Sequence, residues 1–300
     1  MDISSWIIAT SISKLVFYFC LAGVIGGGSL YCVTLSNRKL KESVAKYIIV
    51  AAVVGFMANV SSFYIQVGAI SESGLTGMFD GMFVSVLWSA GLGDAVASRA
   101  IGFIAILIAA VAYHQHLKDK RNSTAQVVAI FTYALSLMAF GFSFTKIGHT
   151  VELSLLTKTA VIYHVILVLW WMGMLWPLYK ACSLLANREL HTLMFRFGKS
   201  ASYAVSVLLA FGVVLAFSLF DSFEQVFFSA YGQVFLMKIA LVSGLLLIAA
   251  NHKLRLVPAL LKNAAAHRKL AKSIQFEILI GVLVLTITTI LTTYVGPTHA

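Results

Sequence analysis

The chain reads as an all-α, polytopic integral membrane bundle of about eight transmembrane helices, with both termini outside the cytoplasm. Three observations predict this. Of the 300 residues, 60% are hydrophobic and only 11% are charged, with a mean hydropathy of +0.92. A soluble domain of this size has too much exterior to cover with polar groups for such a composition to serve it. Uncharged runs recur at the length of a bilayer crossing, about 20 residues each. Finally, the basic residues gather in short loops that alternate with those runs.

The elements follow in order. The first span, Trp6–Leu35, is too long for a cleaved leader, lacks an Ala-x-Ala site and precedes a basic cluster, so a retained helix is expected. Its Gly26-Gly27-Gly28 run follows no strand, which predicts close helix packing rather than a phosphate loop. The second span is Val44–Ile70. The loop Ser71–Asp94 after it is Gly-rich, with Glu72, Asp80 and Asp94 around an apolar centre of Met78, Phe79, Met82, Phe83 and Trp88. That pattern predicts a segment lying on the bilayer surface or capping the bundle. Spans Ala95–Leu117, Ala125–Phe144, Leu156–Tyr179, Phe197–Phe220, Gly232–His252 and Ser273–Val295 complete the set. The whole of 1–300 is thus one integral membrane domain.

Four inner loops carry most of the positive charge. They hold Arg38, Lys39, Lys41 and Lys46; Lys118, Lys120 and Arg121; Lys180, Arg188, Arg196 and Lys199; and Lys253, Arg255, Lys262, Arg268, Lys269 and Lys272. Of the 22 basic residues only Lys14, Arg99, Lys146, Lys158 and Lys238 lie elsewhere. The positive-inside rule makes these loops cytoplasmic. An even number of spans returns both termini to the other side, the periplasm in a bacterium, and the protein to the inner membrane. The net charge of +11 therefore has a topological cause. It calls for a lipid bilayer as partner and for no nucleic acid. Cys20, Cys32 and Cys182 form no C-x-x-C motif, so neither a disulfide framework nor a zinc knuckle is expected. Nucleophile elbows, H-E-x-x-H and Walker loops are absent from the sequence, and the chain is read as a non-enzyme.

The candidate chemistry lies in a few polar residues at membrane depth. His164 stands inside the fifth span, followed by Trp170-Trp171-Met172-Gly173-Met174-Leu175-Trp176. An imidazole there needs a neighbour, a metal or a cofactor. His164, Trp171 and Leu175 share one helix face, while Gly173 points away and admits another backbone. His149, in Lys146-Ile147-Gly148-His149-Thr150, lies at the same outer face. Two imidazoles there can share copper, and Met172 and Met174 add thioether sulfur suited to Cu(I). The alternative is a solvated His149, a hydrogen-bonded His164 and methionines that only fill space. Lys238 and Glu277 are intramembrane charges, either structural pins or participants in ion or proton movement. They sit toward opposite membrane faces, so a direct pair is not expected. Glu277, about a turn inside the eighth span, is instead expected to meet the Asn251-His252-Lys253 end of the seventh. His114, His116, His191, His252 and His267 read as solvated interface residues, and His299 as an idle tail residue.

These residues together resemble the CopD family of bacterial copper-resistance and copper-uptake membrane proteins. The resemblance is carried by Gly148-His149-Thr150, where the family favours Gly-His-Ala, and by His164 with Trp171-x-Gly173-x-Leu175. It continues through Phe197-x-Lys199-x-Ala201, Tyr231-Gly232 with Leu236 and Lys238, Asn251 to Pro258, and Glu277 with Leu291–Pro297. It is strongest over residues 140–297; the first half matches in its plan of spans. Relatives place a histidine in the first span, where this chain has Lys14-Leu15-Val16-Phe17-Tyr18-Phe19 and none. The resemblance implies copper handling, uptake from periplasm toward cytoplasm, and a separate periplasmic partner of the CopC type. Two other readings stay open: a b-type haem electron carrier with His149 and His164 as axial ligands, and a non-transporting scaffold.

Overall fold

The computed structural model describes residues 3–30, 37–118, 123–147, 154–220 and 222–295, and among them every regular element is helical. In chain order the helices are α1 (Ile3–Ser29), α2 (Arg38–Ser71), α3 (Gly81–Ser89), α4 (Gly91–Lys118), α5 (Ser123–Ser143) and α6 (Leu155–Leu184). They continue as α7 (Asn187–Leu219), α8 (Phe223–Phe228), α9 (Ala230–Asn251), α10 (Val257–Ala259) and α11 (Ala266–Ile290). Eight of the described helices are long and apolar enough to cross a membrane, which makes this a multi-pass membrane protein. The chain divides into two compact units: Met1–Thr34 with Ala45–Trp170, and Leu35–Val44 with Trp171–Ala300.

In the first unit, α1 packs through its small residues. A Cβ on Gly27 would lie 2.8 Å from Ile48, and one on Gly28 would enter the Tyr133 ring. The Tyr133 hydroxyl donates to the Ile25 carbonyl at 2.6 Å, so α5 is fastened to α1 where the glycines clear the way. Between α2 and α4, where the sequence predicts a surface-lying or capping segment, the chain forms the short helix α3. Asp80 caps α3, accepting from the Met82 and Phe83 amides. Phe83, Val84 and Leu87 then pack on a cluster of Phe63, Val67, Leu92 and Val96. Phe79, Met82, Val86 and Trp88 stay exposed, leaving an apolar face open on this segment.

In the second unit two helices start well before the expected spans. The expected starts were Phe197 and Ser273, but α7 begins at Asn187 and α11 at Ala266. Hydropathy does not register these extensions because they are amphipathic: Leu190, Met194, Ala266 and Leu270 are buried between charged neighbours. The seventh crossing also runs on past Asn251. A π-helical turn spans His252–Leu256, with the Val257 amide bonding back to the His252 carbonyl, before α10 carries Pro258. The wider turn accommodates the proline ring, which would otherwise press on the carbonyl four residues earlier. The core of this unit favours α11. In its apolar window 44% of residues are buried, against 6% in the windows of α7 and of the crossing through α9.

Replacing Gly28 by Ala is expected to cost about 1–3 kcal/mol by driving a methyl into a filled space. Thermal unfolding in detergent would read this as a lower midpoint. Gly81→Ala, with open space around its Cβ, is the control that leaves the midpoint unchanged.

Candidate functional site

Glu277 lies eleven residues into α11, about three turns from its start. That is deeper than the single turn expected, because the helix begins earlier. Its carboxyl group is 2% exposed and would be costly alone in this setting. Two neighbours satisfy it. The Trp171 indole N–H on α6 donates to Oε1 at 3.0 Å, and His252 Nδ1 stands 3.2 Å from Oε2. With the carboxyl group ionised it can only accept, and Nδ1 then carries the proton of this second contact. The other ring nitrogen, Nε2, is 2.7 Å from the Ser273 hydroxyl.

His252 is thereby a correction to the sequence reading. It was expected to be a solvated interface residue, yet it is 7% exposed. The physical reason is the π-helical turn, which carries the crossing on to Ala259 and makes His252 an interior position of a longer helix. The only available signal was the combination of Pro258 a turn and a half later with an acid in the following span.

The network borders a cavity of about 220 Å³ among α6, α7, the end of α9 and α11. Its walls include Met194, Phe197 and Ala201 from α7 and Ile274 from α11, with Lys253 among the polar residues. The Lys253 amine donates to Ser202 of α7 at 2.7 Å. The cavity thus joins an apolar wall to an acid, a histidine and a lysine, a combination that can hold a small charged species or exchange a proton.

The other sequence candidates fall as follows. His149 lies outside the described residues. His164 is half-buried on α6 in the first unit. Met172 and Met174 belong to the second unit and are described within it. The Met172 methyl occupies the space a Cβ on Gly281 would need, so this side chain fills the gap at a glycine of α11. Met174 and Gly173 are buried. Lys238 is half-buried on α9 and makes no ion pair with Glu277, whose oxygens are engaged by Trp171 and His252. Among the described residues no three of His, Cys, Asp and Glu gather as a metal cluster.

Arg99 was missed altogether. It is buried on α4, donating through Nε to Ser143 at 3.2 Å. Its guanidinium stands 4.5 Å from the Phe17 ring and 5.7 Å from that of Phe144. The first-span stretch that lacks a histidine therefore supplies an aromatic seat for an arginine.

Removing the imidazole from this network has a defined cost. His252→Leu leaves a buried carboxylate with one donor and is expected to destabilise by about 3–5 kcal/mol. The double change His252→Leu/Glu277→Met should recover most of that loss. Thermal unfolding of wild type, His252→Leu, Glu277→Met and the double variant as a double-mutant cycle gives the coupling, and additive losses would mean the two side chains do not act as a pair.

Two family models match separate stretches of the chain. The family model "Copper resistance protein D" matches residues 191–291. "Copper resistance protein D-like, N-terminal domain" matches residues 7–152. The second match extends the likeness to the half where the motifs were weakest. Neither a curated protein nor a solved structure matches the chain. With both halves of the pattern present in order on an eight-crossing helical chain, the protein belongs to the CopD family of copper-resistance membrane proteins.

Proposed function

We propose that the chain carries copper ions across the bacterial inner membrane, from the periplasm toward the cytoplasm. The observation that carries this reading is the pair of copper-resistance matches laid over eight membrane-crossing helices. Copper is the cargo, delivered by a separate periplasmic protein of the CopC type and first taken by His149 and His164. The half-buried setting of His164 supports this, because such an imidazole keeps access for an incoming ion while its ring is partly shielded. Met172 and Met174 serve as onward thioether ligands. The Met172 sulfur lies beside the small Gly281 position, and an unbranched side chain can leave such a gap without backbone movement. Weak, exchangeable ligation suits a path from which the ion must also depart. The protein acts as a carrier, with no catalytic residue assigned.

The test is metal analysis with an absorption spectrum on detergent-purified protein, wild type beside His149→Ala/His164→Ala. Wild type should hold copper in stoichiometric amount, the double variant should lose it, and no Soret band should appear in either. Copper retained by the double variant would refute the assigned ligands. A Soret band lost in the variant would instead make those histidines haem ligands.

A further inference from the structure

We propose that Glu277 is a proton-exchange site, loaded and unloaded through His252 from Ser273 at the basic end of the second unit. Three polar groups stand in sequence. The Glu277 carboxylate is 2% exposed and His252 is 7% exposed, while Ser273 is half-exposed beside the exposed Lys272. The links between them are 3.2 Å from Oε2 to Nδ1 and 2.7 Å from Nε2 to the serine Oγ. A connected line thus runs from an interior carboxylate to the half-exposed Ser273, one residue from the exposed Lys272. Imidazole suits the middle position because one ring nitrogen can take a proton while the other gives one up.

The transfer balances without a co-reactant. In the resting pair Nδ1 carries the proton, donating to Oε2, and Nε2 accepts from the Ser273 hydroxyl. A proton from solvent is taken up at the Ser273 oxygen as the hydroxyl passes its own proton to Nε2, which makes the ring an imidazolium. The Nδ1 proton then moves to Oε2, leaving a neutral carboxylic acid and an imidazole protonated at Nε2. Unloading is the same path in reverse, so the ring need not flip.

Two features favour a proton over a metal ion and over a plain structural pin. Each carboxylate oxygen and each ring nitrogen already has a partner. A metal would have to break those contacts, whereas a proton travels along them. A pin, in turn, has no use for the cavity of about 220 Å³ against the carboxylate. The charge state of the pair is set by what faces it. The indole N–H of Trp171 comes from α6 and the hydroxyl of Ser273 from α11. Across the cavity stand Lys253, from the π-helical turn, and its partner Ser202 on α7. Where copper moves as proposed above, a proton exchanged at Glu277 balances part of the charge carried. That coupling rests on the copper reading; the exchange itself does not.

Time-resolved infrared spectroscopy after a pH jump tests this on the full chain in lipid vesicles, without copper. A protonated-carboxyl band that titrates reversibly in wild type and is absent in Glu277→Gln is the expected signature. In His252→Gln, whose amide can keep both hydrogen bonds but cannot relay, the band should respond on the order of 10²-fold more slowly. Should that variant fail to fold, Ser273→Val, at a half-exposed position, should slow the response instead. The proposal is overturned if no such band titrates, or if the folded variant responds as fast as wild type. Copper content measured on separate samples keeps the two readings apart. Copper held without a titrating Glu277 leaves the carrier standing and removes the proton site; a titrating Glu277 without copper does the reverse.

Discussion

A carboxylate in the interior of an apolar helix bundle has to be answered by donors, and the second unit of this protein is organised around that requirement. Left alone, Glu277 would cost several kcal/mol in lost solvation. The two donors that meet it come from different helices, an indole from α6 and an imidazole from the end of α9. Three crossings are therefore fixed in rotation about their own axes at one level. Apolar packing between lipid-bathed helices discriminates poorly among rotations, since lipid tails are as apolar as leucine. A hydrogen-bonded acid does discriminate, because only one rotation of each helix brings its donor to the carboxyl group.

The local backbone serves the same arrangement. In a regular helical turn the Pro258 ring presses on the carbonyl four residues earlier. The chain answers with the π-helical turn from His252 to Leu256 instead of ending the helix. This keeps His252 inside the protein, with its outer nitrogen turned to Ser273. In the first unit a different solution serves a different charge. Arg99 has no acid among its described contacts, but two aromatic rings and a serine hydroxyl. A delocalised guanidinium is weakly hydrated and tolerates such a seat better than an ammonium would.

Much of the architecture was legible in the sequence because hydropathy over a bilayer's width is a strong signal. The segment between α2 and α4 left a trace too, in the apolar centre from Met78 to Trp88 set among Glu72, Asp80 and Asp94. What escaped were features with no hydropathic signature. The starts of α7 and α11 are amphipathic, so charged residues such as Arg188 and Lys269 masked them. The burial of His252 depended on a turn geometry that propensity does not encode. Arg99 looked like an outlying basic residue because its aromatic partners come from other helices. For the copper ligands, residue types and spacing suggested chemistry, while the mutual placement of His149 and His164 is a tertiary property that spacing alone cannot supply.

The uneven burial of the crossings has a consequence of its own. The helices that wall the cavity on one side, α7 and the crossing through α9, bury only 6% of their apolar windows in protein. Their exposed apolar side chains, Val213, Phe217, Met237 and Leu247 among them, meet acyl chains in a bilayer. The lateral pressure and thickness of the bilayer act on those two walls directly, while α11 is held by protein contacts. Hydrophobic mismatch is relieved by tilting the helices that resist it least. Bilayer thickness is therefore expected to act on the cavity through these two crossings before it acts through α11.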